Sequence, residues 1–255
     1  MISTKLNNFN RMMSVFKPKS ALKYYNLKYV KGDDTNTHYL TLKNGLKLSV
    51  NKSAGDLTTL FEIFVNDDYS FKAEKNRKIN ILDIGANVGY FSLFAAKKFP
   101  NADIYSFEPF PGTFERLSDN IRNNNSGIKA FPYAVSDFNG TSDFYSFEWA
   151  GCNTMVDREF DEGHYQKTTV NCLAFDDIFT KTGVNEFEFG KIDCEGSEYP
   201  IFLNSKDESI RRIKNYILEV HDDKKYTKQD LINRFKALGY DVVDKESLIE
   251  ASIKE

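Results

Sequence analysis

The chain has 255 residues, of which 41% are hydrophobic and 28% are charged, and its formal net charge is −3. Its 22 Phe and 14 Tyr exclude a disordered chain, which would carry far less apolar surface. The slight acidic excess argues against a general nucleic-acid binder, because such proteins usually carry a strong basic excess. No apolar run approaches the roughly 20 residues that cross a bilayer, so the sequence predicts a cytoplasmic protein without a membrane span.

Charge is unevenly distributed along the chain. Residues 1–32 contain seven Lys or Arg and no acidic residue, whereas the remainder has an acidic excess. This basic arm is either a segment that docks on a partner or on an anionic surface, or it is a solvated terminus. Association of the chain with copies of itself, through the arm or the hairpin that follows it, stays open.

The first predicted elements precede the main domain. Residues 39–50 are predicted to form a hairpin around Asn44-Gly45, the preferred pair for a type I′ turn with positive φ at both positions. A helix follows, because apolar residues recur at helical spacing over 57–64. Residues 1–75 are therefore predicted to be an N-terminal extension that packs on the main domain.

From residue 78 onward, apolar strands alternate with helices. The predicted strands cover 79–84, 103–107, 128–135, 187–192 and 216–220, with a final antiparallel pair at 241–244 and 248–253. The predicted helices cover 90–99, 114–121, 175–180 and 227–238, and residues 140–172 have an irregular β pattern. Thr227-Lys-Gln-Asp230 is the capping box predicted to start the last of these helices. Such alternation predicts an α/β domain over residues 76–255 with a mostly parallel sheet and helices on both faces.

Four of these strands end in side chains that can do chemistry. They are Asp83, Glu108, Asp193, and the pair Glu219 and His221. Ligands of parallel sheets collect at the carboxyl ends of the strands, so this edge is the predicted functional site.

A glycine-rich turn joins the first of these strands to its helix. Its glycines, Gly85 and Gly89, permit a tight turn and a close approach of the backbone, so a side chain at Gly85 is expected to block a ligand. Asn87 and Tyr90 stand where a dinucleotide fingerprint needs glycine, and no Gly-Lys-Ser/Thr of a P-loop follows. The turn therefore argues against NAD and ATP.

Two carboxylates favour a cationic nucleoside instead. Glu108 lies 19 residues after Gly89 and could accept both hydrogens of a ribose diol. Asp137, just past the third strand, could accept from an adenine amino group. An acidic site without phosphate-binding features suits S-adenosylmethionine, whose sulfonium and amino groups are positively charged.

Several motifs follow one another in order. They are Asp83-Ile-Gly-Ala-Asn-Val-Gly-Tyr-Phe-Ser, Phe107-Glu-Pro-Phe-Pro, Ala134-Val-Ser-Asp, Lys191-Ile-Asp-Cys-Glu-Gly-Ser-Glu198 and Glu219-Val-His221. On these motifs the chain resembles FkbM-type methyltransferases over residues 55–221. The resemblance implies a Rossmann-like sheet of seven strands with the last strand antiparallel, and O-methylation of hydroxyls, often on sugars or polyketides. It also implies that Asp83, Gly85, Asn87 and Gly89 surround the methionine part of S-adenosylmethionine, Glu108 the ribose and Asp137 the adenine.

A sugar hydroxyl holds its proton too tightly to react unaided. Asp193, Glu219 and His221 are predicted to hold Mg or Mn, which would offset the repulsion between buried acids and favour the alkoxide. The alternative is His221 as a plain general base, with Asp193 orienting its ring or the cofactor. Glu195 is a further catalytic candidate, and Glu195 and Glu198 could instead cap the following helix.

The acceptor site is predicted in the irregular segment. Trp149, the single tryptophan, could stack on a sugar or a base of the acceptor or belong to the core, and Asn153 is a second acceptor-binding candidate. Polar and aromatic residues over 144–166 indicate a hydroxyl-rich acceptor, with or without phosphate. We therefore predict methyl transfer to a sugar hydroxyl, free or nucleotide-linked as in surface polysaccharide synthesis. The alternatives are methylation of a nucleic-acid base and a catalytically silent nucleotide-binding subunit.

Overall fold

The computed structural model describes residues 2–30, 36–52, 55–74, 76–147, 155 and 165–253. The chain begins with an extension of helices and one hairpin. Its elements are α1 (Ile2–Val15), α2 (Pro18–Tyr29), β1 (Thr37–Thr41), β2 (Lys47–Asn51) and α3 (Asp56–Phe61), which continues as a π-helical turn over Glu62–Asn66. Pro18 starts α2, where its fixed φ suits the first helical position and its missing N–H is not needed.

The turn of the hairpin differs from the predicted type I′ turn. Leu42 donates its N–H to the carbonyl of Leu46 at 2.8 Å, which leaves a loop of three residues between them. In the pair Asn44-Gly45, only Gly45 has a positive φ, at 93°. A three-residue loop that ends in a left-handed glycine is the next most common hairpin geometry, and it replaces the predicted two-residue turn.

The described chain continues with the strands of two further sheets. They are β3 (Asn80–Ile84), β4 (Asp103–Phe107), β5 (Lys129–Phe131), β6 (Ala134–Ser136), β7 (Gly140–Phe147), β8 (Tyr165–Ala174), β9 (Phe187–Ile192), β10 (Ile213–Glu219), β11 (Tyr240–Lys245) and β12 (Leu248–Ile253). The central sheet has seven strands in the order β11-β12-β10-β9-β3-β4-β5. The strands from β10 to β5 in this order are parallel, whereas β12 is antiparallel to both of its neighbours. The predicted Rossmann-like sheet with an antiparallel last strand is therefore confirmed.

The predicted strand over 128–135 divides at Pro132. β5 ends before this proline in the central sheet, and β6 follows it in a small sheet of order β6-β8-β7. Proline has no N–H to donate to a ladder, so the chain changes sheets at this point. β7 and β8 form an antiparallel hairpin from Gly140↔Cys172 to Phe147↔Tyr165, within the segment where the sequence has an irregular β pattern.

Helices connect the strands on both faces of the central sheet. They are α4 (Tyr90–Lys98), α5 (Pro111–Asn123), α6 (Ile178–Thr182), α7 (Glu198–Asn204), α8 (Asp207–Arg211) and α9 (Lys228–Ala237). The capping box predicted from Thr227 and Asp230 is confirmed at the start of α9. Within the described ranges, every helix is too short or too polar to cross a membrane.

The extension shares a hydrophobic core with the main domain. Phe16 and Tyr24 are completely buried and belong to the same apolar cluster as Phe91 of α4. The hydroxyl of Tyr24 donates to the carbonyl of Leu57 at 2.7 Å, which ties α2 to α3. The interpretation of the basic arm as a solvated terminus therefore does not hold for residues 12–27, where Met12, Phe16, Ala21, Tyr24 and Leu27 are buried.

Candidate active site

The glycine-rich turn between β3 and α4 brings separate parts of the backbone together. Gly85 has a φ of +70°. A Cβ at this position would lie much less than 3.0 Å from the carbonyl oxygen of Asp193, and real Cβ atoms essentially never approach another heavy atom so closely. Gly89 caps α4 with a φ of +85°, and a Cβ there would meet the side chain of Leu117 on α5. Packing against the Asp193 backbone therefore requires glycine at Gly85, and the left-handed φ at Gly89 favours glycine there, whereas the sequence suggested only that a side chain would block a ligand.

Glu108, directly after β4, is held by the same turn. Its Oε2 accepts the N–H of Asn87 at 2.9 Å, and its Oε1 accepts the N–H of Phe110 at 3.0 Å. Each oxygen keeps a second lone pair, so the carboxylate can still accept two hydrogens from a diol. Burial raises the pKa of Glu108 to about 7, against the opposing effect of the two N–H groups.

A cleft opens beside Glu108, and we call it the first cleft. Its empty volume is about 790 Å³. Polar groups of the turn and of the loop after β9 form one side, and apolar side chains from the region of the small sheet form the other. The lining includes Asn87, Glu108, Arg116, Val135, Phe144, Met155, Asp193 and Glu195. An apolar wall beside a carboxylate that accepts hydrogen bonds is suited to a nucleoside.

Three predicted cofactor residues, Asp83, Gly89 and Asp137, do not line the first cleft. Asp83 is fully buried beneath the turn, where its Oδ2 accepts from Ser92 at 2.5 Å and its Oδ1 lies 3.7 Å from Lys191 Nζ. Asp137 is exposed and accepts from the side-chain amide of Asn204 at 2.7 Å. Direct contact of the Asp83 or Asp137 side chain with a ligand stays a prediction. In the structure, the buried Asp83 lies behind the glycine-rich turn and stabilises it.

Lys191 is a functional candidate to which the sequence assigned no role. It is 3% exposed near the end of β9, and its Nζ donates to the carbonyl of Gly85 at 2.8 Å. The same Nζ lies 3.0 Å from Asp193 Oδ2 and also faces Asp83. Burial acts to lower the pKa of Lys191, but the carboxylates of Asp193 and Asp83 outweigh burial and raise it, so the ammonium is charged at neutral pH. A lysine near the buried end of a strand, two residues before Asp193, was the signal for this role.

His221, just after β10, pairs with Glu198. Its Nδ1 lies 3.1 Å from Glu198 Oε1, and its Nε2 lies 3.4 Å from Glu195 Oε2. Glu198 is fully buried at the start of α7 and also accepts two backbone N–H groups from the loop after β9. The predicted orientation of the ring by Asp193 needs correction, because Asp193 faces Lys191 and Glu198 holds the ring instead.

The charges around His221 set the ionisation of this cluster. Burial acts to lower the pKa of His221, but the hydrogen bond to Glu198 and the neighbouring carboxylates outweigh burial and raise it to about 9. Burial raises the pKa of Glu195 to about 7, and the charge of His221 opposes this rise. At neutral pH, His221 is therefore an imidazolium, and Glu195 lies close to the midpoint of its own titration.

The predicted metal ligands are only partly brought together. Asp193, Glu195 and His221 each present a ligand atom within 4.8 Å of the others, a spacing that a divalent cation could bridge. Glu219, predicted as a ligand, instead accepts a hydrogen bond from the hydroxyl of Tyr69. The charge argument for a metal also weakens, because a buried ammonium and an imidazolium already offset these carboxylates.

A second cleft meets the first at Asn87, Asp193 and Glu195, which line both. Its empty volume is about 910 Å³. The extension provides its outer wall through α3 and the segment that follows, over residues 55–69. Sequence reasoning missed this wall, because nothing local in that helix indicates that it faces the ends of strands.

The predicted acceptor-binding residues Trp149 and Asn153 lie outside the described residues. Their part in the site stays a prediction. From the same segment, Phe144 and Met155 line the first cleft, whose position beside Glu108 suits a nucleoside.

Two of the three residues shared by the clefts have a left-handed backbone. Asn87 has a φ of +50° and Glu195 a φ of +53°. Asparagine adopts this conformation readily, but for glutamate it costs on the order of 1 kcal/mol or more. Such strain persists where the surrounding structure fixes it, and here it directs the Glu195 carboxylate to the junction of the two clefts.

Comparisons with known proteins identify the family. The model of the Methyltransferase FkbM domain matches residues 83–242. The methyltransferase sdnD of Sordaria araneosa is 28% identical over 54% of this chain and 65% of its own length. The 31-O-demethyl-FK506 methyltransferase FkbM of Streptomyces tacrolimicus is 27% identical over 72% of this chain and 81% of its own length. The hexuronic acid methyltransferase AglP of Haloferax volcanii is 26% identical over 57% of this chain and 59% of its own length.

The aligned region thus spans less than two thirds of the length of sdnD and of AglP. The domain match covers more than half of this chain and begins at Asp83, where the glycine-rich turn starts. On that match, and with the strand order described above, this chain belongs to the FkbM methyltransferase family.

Proposed function

We propose that this chain transfers a methyl group from S-adenosylmethionine to a hydroxyl group of a sugar. One observation carries the proposal: the first and second clefts meet at Asn87, Asp193 and Glu195, so two ligands can face each other there. Two relatives are named a hexuronic acid methyltransferase and a 31-O-demethyl-FK506 methyltransferase, which supports transfer to oxygen with a carbohydrate among the acceptors.

The first cleft is the proposed site for S-adenosylmethionine. Glu108 would accept the ribose hydroxyls through its remaining lone pairs, and Val135 and Phe144 would cover the adenine. Asn87 and Asp193 would surround the methionine part at the end next to the second cleft. When bound there, the cofactor supplies an electrophilic methyl group on a positively charged sulfur.

Glu195 is the residue placed to take the proton of the acceptor. It lines both clefts, and its pKa of about 7 suits a general base at neutral pH. The acceptor's O–H bond breaks toward Glu195 while the oxygen bonds to the methyl carbon and the bond between sulfur and methyl breaks. The products are a methyl ether, a neutral thioether and a protonated Glu195. His221, held by Glu198, orients Glu195 and favours its carboxylate form.

This arrangement supplies a base without a metal ion. Mg or Mn held by Asp193, Glu195 and His221 remains the competing proposal, and the two differ in their response to chelation.

Binding and turnover test the proposed function separately. In calorimetry, S-adenosylmethionine and its demethylated product should bind, whereas NAD and ATP should bind negligibly. Methyl-labelled cofactor is then offered with free sugars, nucleotide-linked sugars, catechols and tRNA. Transfer to a sugar is the expected result. Exclusive methylation of tRNA would overturn the proposal, and cofactor binding without transfer to any hydroxyl would favour a catalytically silent subunit.

A further inference from the structure

The second cleft opens outward into a groove that is lined mainly by carboxylates. An adjoining cavity shares Glu62, Tyr69 and Glu219 with the second cleft. We call the two cavities together the acidic groove. It leads from the junction with the first cleft, at Glu195, to the surface between the extension and the hairpin of β11 and β12.

Carboxylates outnumber cations along the whole acidic groove. Its inner half contains Glu62, Asp193, Glu195 and Glu219 but a single lysine, Lys191. Its outer half adds the carboxylates of Asp67, Asp68, Glu246 and Glu250 and one further lysine, Lys245.

Both lysines of the acidic groove already face carboxylates. Lys191 lies between Asp83 and Asp193, and Lys245 donates to Glu250 at 2.5 Å. Among the described residues that line the groove, no basic side chain therefore remains for a phosphate or a carboxylate of a ligand. An anionic acceptor would enter a field of its own sign.

The inner carboxylates also repel one another. Burial raises the pKa of Glu62, and the nearby charges of Glu219 and Asp68 raise it further. A cationic ligand would relieve this repulsion by pairing with carboxylates that are already partly desolvated.

Hydroxyl-binding groups lie next to these carboxylates. Thr58 and Thr59 line the outer wall at α3, and Tyr69, later in the same wall, donates its hydroxyl to Glu219. A ligand with several hydroxyls and a positive charge matches this combination of donors, acceptors and carboxylates.

We propose that the acceptor is an amino sugar, whose protonated amine lies toward Glu62 and Glu219 while a hydroxyl reaches Glu195. The inference rests on the proposed methyl transfer and selects a substrate class for it. It also predicts that acceptors carrying a phosphate or a uronic acid group bind poorly to this chain.

Binding of three matched hexoses tests the charge of the ligand. Protein saturated with S-adenosylhomocysteine is titrated with glucosamine, glucose and glucose 6-phosphate in a calorimeter. Glucosamine should bind about tenfold more tightly than glucose, with glucose 6-phosphate weakest, and the differences should shrink at high salt. Equal binding of the three sugars, or stronger binding of the phosphate, would overturn the inference.

Variants test which carboxylates bind the protonated amine of the sugar. Glu62→Gln and Glu219→Gln should each weaken glucosamine binding about tenfold and leave glucose binding within about twofold. Glu208→Gln removes the same charge from an exposed position on α8, outside the groove, and should leave both affinities unchanged. Circular dichroism establishes that each variant is folded. An unchanged ratio of the two affinities in both groove variants would overturn the assignment.

Methyl transfer to the same sugars is measured in parallel with labelled S-adenosylmethionine. Transfer that is fastest to the amino sugar is expected. Transfer to neutral or anionic sugars without a preference for the amine would overturn this inference and leave the proposed function standing. A preference for the amine in binding, without transfer to any hydroxyl, would overturn the proposed function and with it the assignment of an acceptor.

Discussion

Substitution of Gly85 by alanine tests how the turn after β3 fits against β9. The new Cβ would fall more than 1 Å inside the 3.0 Å limit for real Cβ contacts with the Asp193 carbonyl oxygen. That oxygen belongs to a backbone held by the hydrogen bond from Asp193 N–H to Ile84 O at 3.1 Å, so it cannot rotate away as a side chain could. Moving it shifts Asp193 and Glu195, which line both clefts.

Gly183 provides a matched control. Its φ is +71°, against +70° for Gly85, and a Cβ there would meet nothing within 4 Å. Gly183→Ala therefore carries only the cost of a left-handed alanine, about 1–2 kcal/mol. Gly85→Ala adds an overpacking cost of about 1–3 kcal/mol, which brings its expected total to about 2–5 kcal/mol.

Urea unfolding and calorimetry with S-adenosylmethionine measure the two effects. Gly85→Ala should lose more stability than Gly183→Ala and bind the cofactor at least about tenfold more weakly, a loss of about 1.4 kcal/mol. Gly183→Ala should bind the cofactor normally, because this glycine ends α6 and lines neither cleft. Equal loss of stability in the two variants, with cofactor affinity retained in both, would refute the clash.

Five further predictions concern the site and the core. Glu195→Gln should lower kcat by about 10²–10⁴-fold with cofactor affinity retained, the usual contribution of a positioned base. In the unmodified protein at saturating cofactor, kcat should fall as the pH drops below about 7, because Glu195 then carries a proton, and the variant should lack this limb. Treatment with EDTA should leave activity unchanged, and a loss restored by Mg or Mn would instead favour the metal. Lys191→Met should destabilise the protein by about 3–5 kcal/mol in urea unfolding, because it removes the counter-ion of the fully buried Asp83 and of the partly exposed Asp193, and a negligible change would contradict the ion pairs. Phe16→Ala should cost about 3–5 kcal/mol in the same assay, because the ring is completely buried, whereas a terminus detached from the core would show no change.

The features predicted well from the sequence are local ones. A short apolar run that ends in Asp83 and is followed by a glycine-rich turn predicts a strand, a turn and a helix. All three occur at the predicted place. The capping box at Thr227 likewise depends on residues three apart. Carboxylates at the ends of parallel strands meet at one edge because the topology forces them together, so Glu108 and Asp193 could be assigned to one site.

The features that escaped prediction depend on pairs far apart in the chain. Lys191 and Asp83 face each other only because β9 lies beside β3, a neighbourhood that no local pattern reveals. The hydrogen bond from Tyr69 to Glu219 joins residues 150 positions apart and gives one Glu219 oxygen a partner that the sequence did not suggest. The sequence could place a carboxylate at the edge of the sheet, but it could not show which neighbour that carboxylate would meet.

The two clefts have separate origins in the chain, and this division bears on how such a protein can diversify. The extension forms the outer wall of the second cleft, whereas the turn after β3, the loop after β4, α5 and the small sheet form most of the first. Substitutions in α3 could therefore change which acceptor fits and leave the cofactor machinery intact. An ion pair crosses the boundary between these parts: Arg116 of α5, which lines the first cleft, pairs with the buried Asp56 of α3. Under the proposed function, residues of the acceptor wall other than Asp56 could change during evolution. Asp56 and Arg116 have to be kept or replaced together, because removing either one leaves the charge of the other without its counter-ion.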